Sequence, residues 1–237
     1  MKRFSLIELL VVVAIIGILS SILLPTLGKV RTKAKITTCL NNSKALSVGL
    51  NLYTSDNNDF FPVQDNNIGW DDQISSYLGF SWTDAEKESA FIVQANYSSI
   101  KIFHCPLDEV TRTQATAGAK SYGLNWYDDP NYPGLSGDVV AVKINEVSNS
   151  SGTILLGERW SESNIVGASR WAHSYSGLFF THYQSGNVLG TQVTNHYGDD
   201  RANISFVDGS ARQMYGTKTL LGVTINNFQN TMFDRNR

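Results

Sequence analysis

A carboxylate set in hydrocarbon-like sequence is the first residue of this chain with chemistry to explain. Glu8 is the only charged side chain in residues 4–24, FSLIELLVVVAIIGILSSILL. An ionisable group at the centre of a bilayer costs on the order of 3 kcal/mol unless something offsets it, so such a residue points to a pairing role. The plainer account is a glutamate within a turn of a helix start, close enough to water to snorkel.

Three histidines, His173, His182 and His196, together with Glu158 and Asp208, can be assembled on paper into a metal or hydrolytic site. Their spacings match no metal-ligand template, and the sequence has no Gly-x-Ser-x-Gly elbow, no phosphate-binding glycine loop and no His-Glu-x-x-His pair. The reading is of satisfied structural histidines: no enzyme, no metal and no cofactor is expected. The acidic tract 56–59 offers oxygen ligands but lacks the spaced acids and turn glycine of a calcium loop, so helix capping explains it better. Cys39 and Cys105 are the only cysteines. They are too few for a disulfide scaffold and too far apart for a zinc knuckle, which leaves one bridge or two thiols.

The elements that carry these residues differ sharply. The chain has 237 residues and a formal net charge of -2, room for one domain plus an anchor, with no clustered positive face to attract nucleic acid. Mean hydropathy over the chain is slightly negative, yet nearly all the strongly apolar sequence sits at the N-terminal end. As a helix, residues 4–24 cover about 31 Å, a bilayer core's thickness. Gly17, Ser20 and Ser21 are small residues of the kind that let membrane helices approach closely. A cleaved secretory signal is the competing reading. The run is longer than a signal core, carries an acid near its start and lacks an Ala-x-Ala-like site, so a retained anchor is expected.

After Pro25 the charges return as Lys29, Arg31, Lys33 and Lys35. Ile36, Cys39, Ser43, Leu46, Leu50 and Tyr53 then recur at spacings of three and four, one stripe of a helix able to pack on a domain. One long helix over residues 4–54 follows, transmembrane over 4–24, kinked at Pro25 and stopped by the polar tract 55–59. Placement of Cys39 on the domain-facing stripe, and of Cys105 in a turn-rich segment, favours a bridge between them.

Residues 60–135 are less regular, with Trp70, Tyr77, Trp82, Phe103, Tyr122, Trp126 and Tyr127 packing beneath loops and a helix near 84–96. Strands are expected over 139–144, 153–157, 178–183, 187–193, 202–207 and 210–215, the last two joined at Asp208-Gly209, a tight-hairpin dipeptide. The fold class is therefore α+β: a long N-terminal helix packed on a C-terminal antiparallel sheet, divided into a short basic leader (1–3), the helix (4–54) and a soluble domain (55–237).

The run from Phe4 through Leu19 resembles the N-terminal signature of type IV pilins and type II secretion pseudopilins. The resemblance implies that a prepilin peptidase cuts between Arg3 and Phe4, that Phe4 becomes the methylated N-terminus, and that the helix bundles with other pilin-like subunits. It also gives Glu8 a partner, the free amine of a neighbouring Phe4. The family has Gly where Arg3 stands.

A second resemblance covers most of the remaining chain: pilin-like proteins with a prepilin-type processing-associated histidine–Asp-Gly domain. It is carried by Cys39, Asn42, Gly49, Tyr53, Asp56 and Pro62, then Cys105-Pro106-Leu107-Asp108, Ser121 to Asn125 including Tyr122, Gly157-Glu158, and His196, Asn203, Phe206, Asp208 and Gly209. About eleven residues separate His196 from Asp208, longer than the family spacing and consistent with a loop insertion.

Together these features imply a structural subunit of a pilus-like or secretion filament. It would be stored as a single-pass inner-membrane protein with an extracytoplasmic domain, then polymerised at the periplasm or cell surface. Lys29 to Lys35 oppose that orientation under the positive-inside rule; the resemblance favours it. Two other readings are a membrane-tethered domain that binds glycans or other polymers without polymerising, and an anchored hydrolase needing clustered His and acid groups.

Overall fold

A single helix, α1 (Leu6–Asp56), runs for 51 residues and accounts for the whole N-terminal end of the fold. The computed structural model describes residues 5–63, 67–89, 91–93, 98–125, 128–129, 132–133, 135, 142–158, 164–167 and 201–215. Ser5 is the N-cap: its hydroxyl accepts from the Glu8 backbone N–H while the Glu8 carboxylate accepts from the Ser5 N–H, a reciprocal capping box. The helix is continuous through Pro25 and ends two residues beyond the expected boundary. Asn57 caps it, its amide donating to the Tyr53 carbonyl at 2.8 Å, and the chain turns away through Asn58 and Asp59 in the left-handed region at φ 53° and 68°. Asn and Asp tolerate that region better than other side chains, which is why this tract stops the helix.

Two short helices follow, α2 (Trp70–Gln73) and α3 (Asp84–Lys87). The helix expected over 84–96 stops at Lys87. Ser89 hydrogen-bonds the Glu86 and Phe91 carbonyls, and Ile92 then pairs with Val166 and Gly118 through its backbone, so long-range pairing overrides local helical preference.

The main sheet has four antiparallel strands in the order β1 (Tyr122–Leu124), β4 (Ile154–Glu158), β5 (Arg201–Phe206) and β6 (Ala211–Tyr215). The pair β2 (Asp128–Asp129) and β3 (Tyr132–Pro133) stands apart. This is the α+β arrangement expected, a pilin-like one. Of the strand expected over 139–144, the described part makes only a bridge between Lys143 and Phe60 before entering a 3-10 turn at Ile144–Glu146. The strands expected at 178–183 and 187–193, with Trp126 and Tyr127, lie outside the described residues.

The β5–β6 hairpin turns at Asp208-Gly209. Gly209 donates its N–H to the Phe206 carbonyl and sits at φ 81°, a conformation only glycine adopts without strain. Asp208 braces the turn by accepting the Ser210 N–H at 2.9 Å.

The core lies between the second half of α1 and the sheet. Cys39, Ser43, Leu46 and Leu50 of the expected stripe are buried, and Ile36 and Tyr53 are half-buried at its ends. Under the loops, Phe80, Trp82 and Phe103 form one aromatic stack, with Trp70 edge-on to Phe103.

Candidate functional site

The surface that demands an explanation is the first half of α1. Large apolar side chains from Leu6 to Val30 stand exposed, and none of the helix's most apolar stretch is buried by the domain. This is a helix long and apolar enough to cross a membrane, and residues Leu6 to Leu24 alone span about 28 Å. A methyl group placed on Gly17 would meet nothing, so that position is open to a neighbouring backbone. Lys29, Arg31, Lys33 and Lys35 are all exposed just beyond.

Glu8 belongs to this surface. Its Oε2 accepts the Ser5 N–H at 2.8 Å, so the acid holds its own helix start. Its other oxygen has no hydrogen-bond partner among the described residues. Arg3 and Phe4, the expected processing pair, lie outside the described residues, as do His173, His182 and His196.

The other half of α1 is fastened to the domain at several points. Cys39 and Cys105 form a disulfide across 66 residues of sequence. Beside it the buried Tyr122 hydroxyl donates to the Cys39 carbonyl. Asn42 donates to the His104 carbonyl at 3.1 Å, and the buried Ser47 and Ser205 hydroxyls meet at 2.7 Å. Asn203, on β5, reaches the Ile36 carbonyl while its backbone and side-chain amides both donate to Glu158, at 3.1 and 2.9 Å.

Asp108, Ser121, Asn125 and Phe206 from the second resemblance are likewise parts of the frame. Asp108 receives both ends of the Arg112 guanidinium and the Ser121 hydroxyl, and Ser121 in turn accepts the Cys105 N–H at 2.9 Å. That network locks the turn presenting Cys105 to the helix. Asn125 donates its N–H to Leu155 and its side chain to Ile154, extending the β1–β4 pairing past the strand end. Phe206 is buried with the Arg212 guanidinium 4.1 Å above its ring.

Cys39, Cys105 and Glu158 bring their donor atoms within 4.8 Å of one another. With both sulfurs in the disulfide there is no thiolate to ligate a cation, and the Glu158 oxygens are taken up by Asn203. An open pocket of about 520 Å³ beside α1 is lined by Thr38, Asn42, Ile100, His104 and Pro106 among others, with no acid among the described residues of its wall.

One cluster went unread in the sequence. Asp71, Asp72 and Lys120 are all buried. The Lys120 ammonium lies 2.7 Å from Asp71 Oδ1, and Asp71 Oδ2 accepts the Gly167 N–H at 2.7 Å. Asp72 caps α2 by accepting the Gly69 N–H, and its Oδ1 is buried with no hydrogen-bond partner. Burial first, and the neighbouring Asp71 charge second, push the Asp72 carboxyl up to about 8. In sequence Gly-Trp-Asp-Asp reads as an acidic helix start on the surface, and only the long-range approach of Lys120 shows otherwise.

No protein-family model, no curated protein and no solved structure matches this chain.

Proposed function

We propose that this chain is a membrane-anchored structural subunit that polymerises through α1 into a type IV pilus-like or secretion filament. The observation that carries this reading is the division of one unbroken helix. Its second half is cross-linked and hydrogen-bonded to the domain, while its first half shows a row of large apolar side chains that stand exposed, covered by nothing among the described residues. Each such side chain gains about 1.5–3 kcal/mol on leaving water, so the surface needs lipid or other helices around it. Lipid serves the stored subunit, and the helices of other copies serve the filament.

Within that assembly Glu8 pairs with the amine of a neighbouring Phe4, freed when a prepilin peptidase removes residues 1–3. An ion pair in a low-dielectric helix bundle is costly to misplace, so it sets the axial register of the subunits. The domain is extracytoplasmic, in keeping with a disulfide closing between helix and domain.

Negative-stain imaging of material sheared from cells that produce the protein, with mass spectrometry of its subunits, tests the reading. Filaments built of this chain with Phe4 at the N-terminus are expected. A chain that stays in the membrane and yields no filaments overturns the proposal in favour of a tethered recognition domain.

A further inference from the structure

The buried Asp71–Lys120 contact is placed for more than an ion pair. We propose that the Lys120 amine and the Asp71 carboxyl condense within the folded domain to an intramolecular isopeptide bond.

The geometry supplies what amide formation needs. Nucleophile and carboxyl are held at 2.7 Å in a site closed to water, Lys120 being 1 % exposed and Asp71 wholly buried. Such placement replaces an encounter in solution, which otherwise limits amine–carboxylate condensation. The Trp70 ring face, 5.4 Å from the Lys120 nitrogen and packed edge-on to Phe103, holds the lysine end in place and lines the site with apolar surface. The Gly167 N–H on Asp71 Oδ2 is aimed where negative charge grows as the carbonyl carbon becomes tetrahedral.

The step balances without an oxidant or a co-reactant. The ammonium and carboxylate first exchange a proton, leaving an amine and a carboxylic acid. The amine lone pair forms the bond to Asp71 Cγ, and the bond from Cγ to Oδ1 breaks. Oδ1 departs as water carrying the two protons that Lys120 has lost in all. The second of those protons passes directly from the nitrogen to the leaving oxygen that it contacts. Oδ2, on the Gly167 N–H, remains as the amide oxygen. The product ties α2 to the segment entering β1 across 49 residues.

Mass spectrometry of the full chain in detergent, with the disulfide reduced and capped, reads the bond directly. A wild-type chain one water lighter than its sequence is expected, with a branched tryptic peptide joining Asp71 to Lys120 and no cleavage after Lys120. Lys120→Arg keeps a cation but not the nucleophilic amine, and should restore the missing water. Full wild-type mass, with trypsin cutting after Lys120 in the unfolded chain, overturns the proposal. So does a lost water that maps to Asp208-Gly209, the ordinary site of succinimide formation.

Discussion

The Tyr122 hydroxyl donates to the Cys39 carbonyl at 2.9 Å, so strand β1 grips α1 at the residue whose side chain also forms the disulfide. Tyr122 is wholly buried, and its partner is a helix carbonyl with a second lone pair to spare. Tyr122→Phe keeps the ring and deletes this bond, for an expected loss of about 1–2 kcal/mol. Chemical denaturation of the detergent-solubilised chain measures it, and an unchanged midpoint would show that the bond contributes nothing net.

Removing the bridge acts more strongly. A loop of 66 residues gives about 4 kcal/mol in the chain-entropy model. The Cys39→Ser, Cys105→Ser double variant should lose roughly that much, and reductant should destabilise the wild type equally while leaving the variant alone.

On the proposed function, Glu8→Ala is expected to stay in the membrane and to form few or no filaments, because the apolar run persists while the acid proposed to set the register is gone. The capping box adds a control. Ser5→Ala removes the hydroxyl half of the cap, at about 1 kcal/mol, but keeps the carboxylate. Filaments from Ser5→Ala and none from Glu8→Ala would separate helix starting from subunit pairing; equal loss in both would assign the defect to the cap.

The buried acid sets a pH dependence. Asp72 has a folded-state pKa of about 8 against 3.8 for the free side chain, so the folded chain holds a proton that the unfolded one releases. A pKa raised on folding gives stability that is complete below about pH 4 and is lost as pH climbs through 8. Asp71, Lys120 and Lys87 share that environment, the two lysines opposing the shift. Between about pH 5 and pH 8 the unfolding free energy should fall by a few kcal/mol. Asp72→Asn should flatten that slope, and a variant with the wild-type slope would place the titration elsewhere.

What the sequence made legible was local. The α1 stripe, the capping tract 55–59 and the Asp208-Gly209 turn depend on residues within a few positions of one another, where periodicity and side-chain chemistry decide the outcome. The frame roles of Asp108, Glu158 and Asn203 depend on partners brought in by the fold. The resemblance marked those residues, but their spacing alone carried no hint of Arg112 or of the Asn203 amides. The shortened α3 and the Lys143 bridge failed for the same reason, since Val166 and Phe60 lie far off in sequence. Lys120 is the extreme case: a lysine in a Gly-Ala-Lys-Ser stretch reads as surface, and only its approach to Asp71 takes it inside.

The undivided helix has a consequence for how copies crowd. A bare helix is about 10 Å wide, whereas a folded domain of this size is roughly 40 Å across. From Leu24, at the end of the apolar run, to Cys39, where the domain takes hold, is about 22 Å along the axis. Narrow stems under broad heads cannot stand shoulder to shoulder at one height, because the heads collide before the stems touch. Stems brought to a helix-packing distance of about 8–10 Å must therefore climb, each copy displaced along the axis from the last. The mismatch between foot and head makes a flat raft unfavourable and a spiral stair the natural way to gather these subunits.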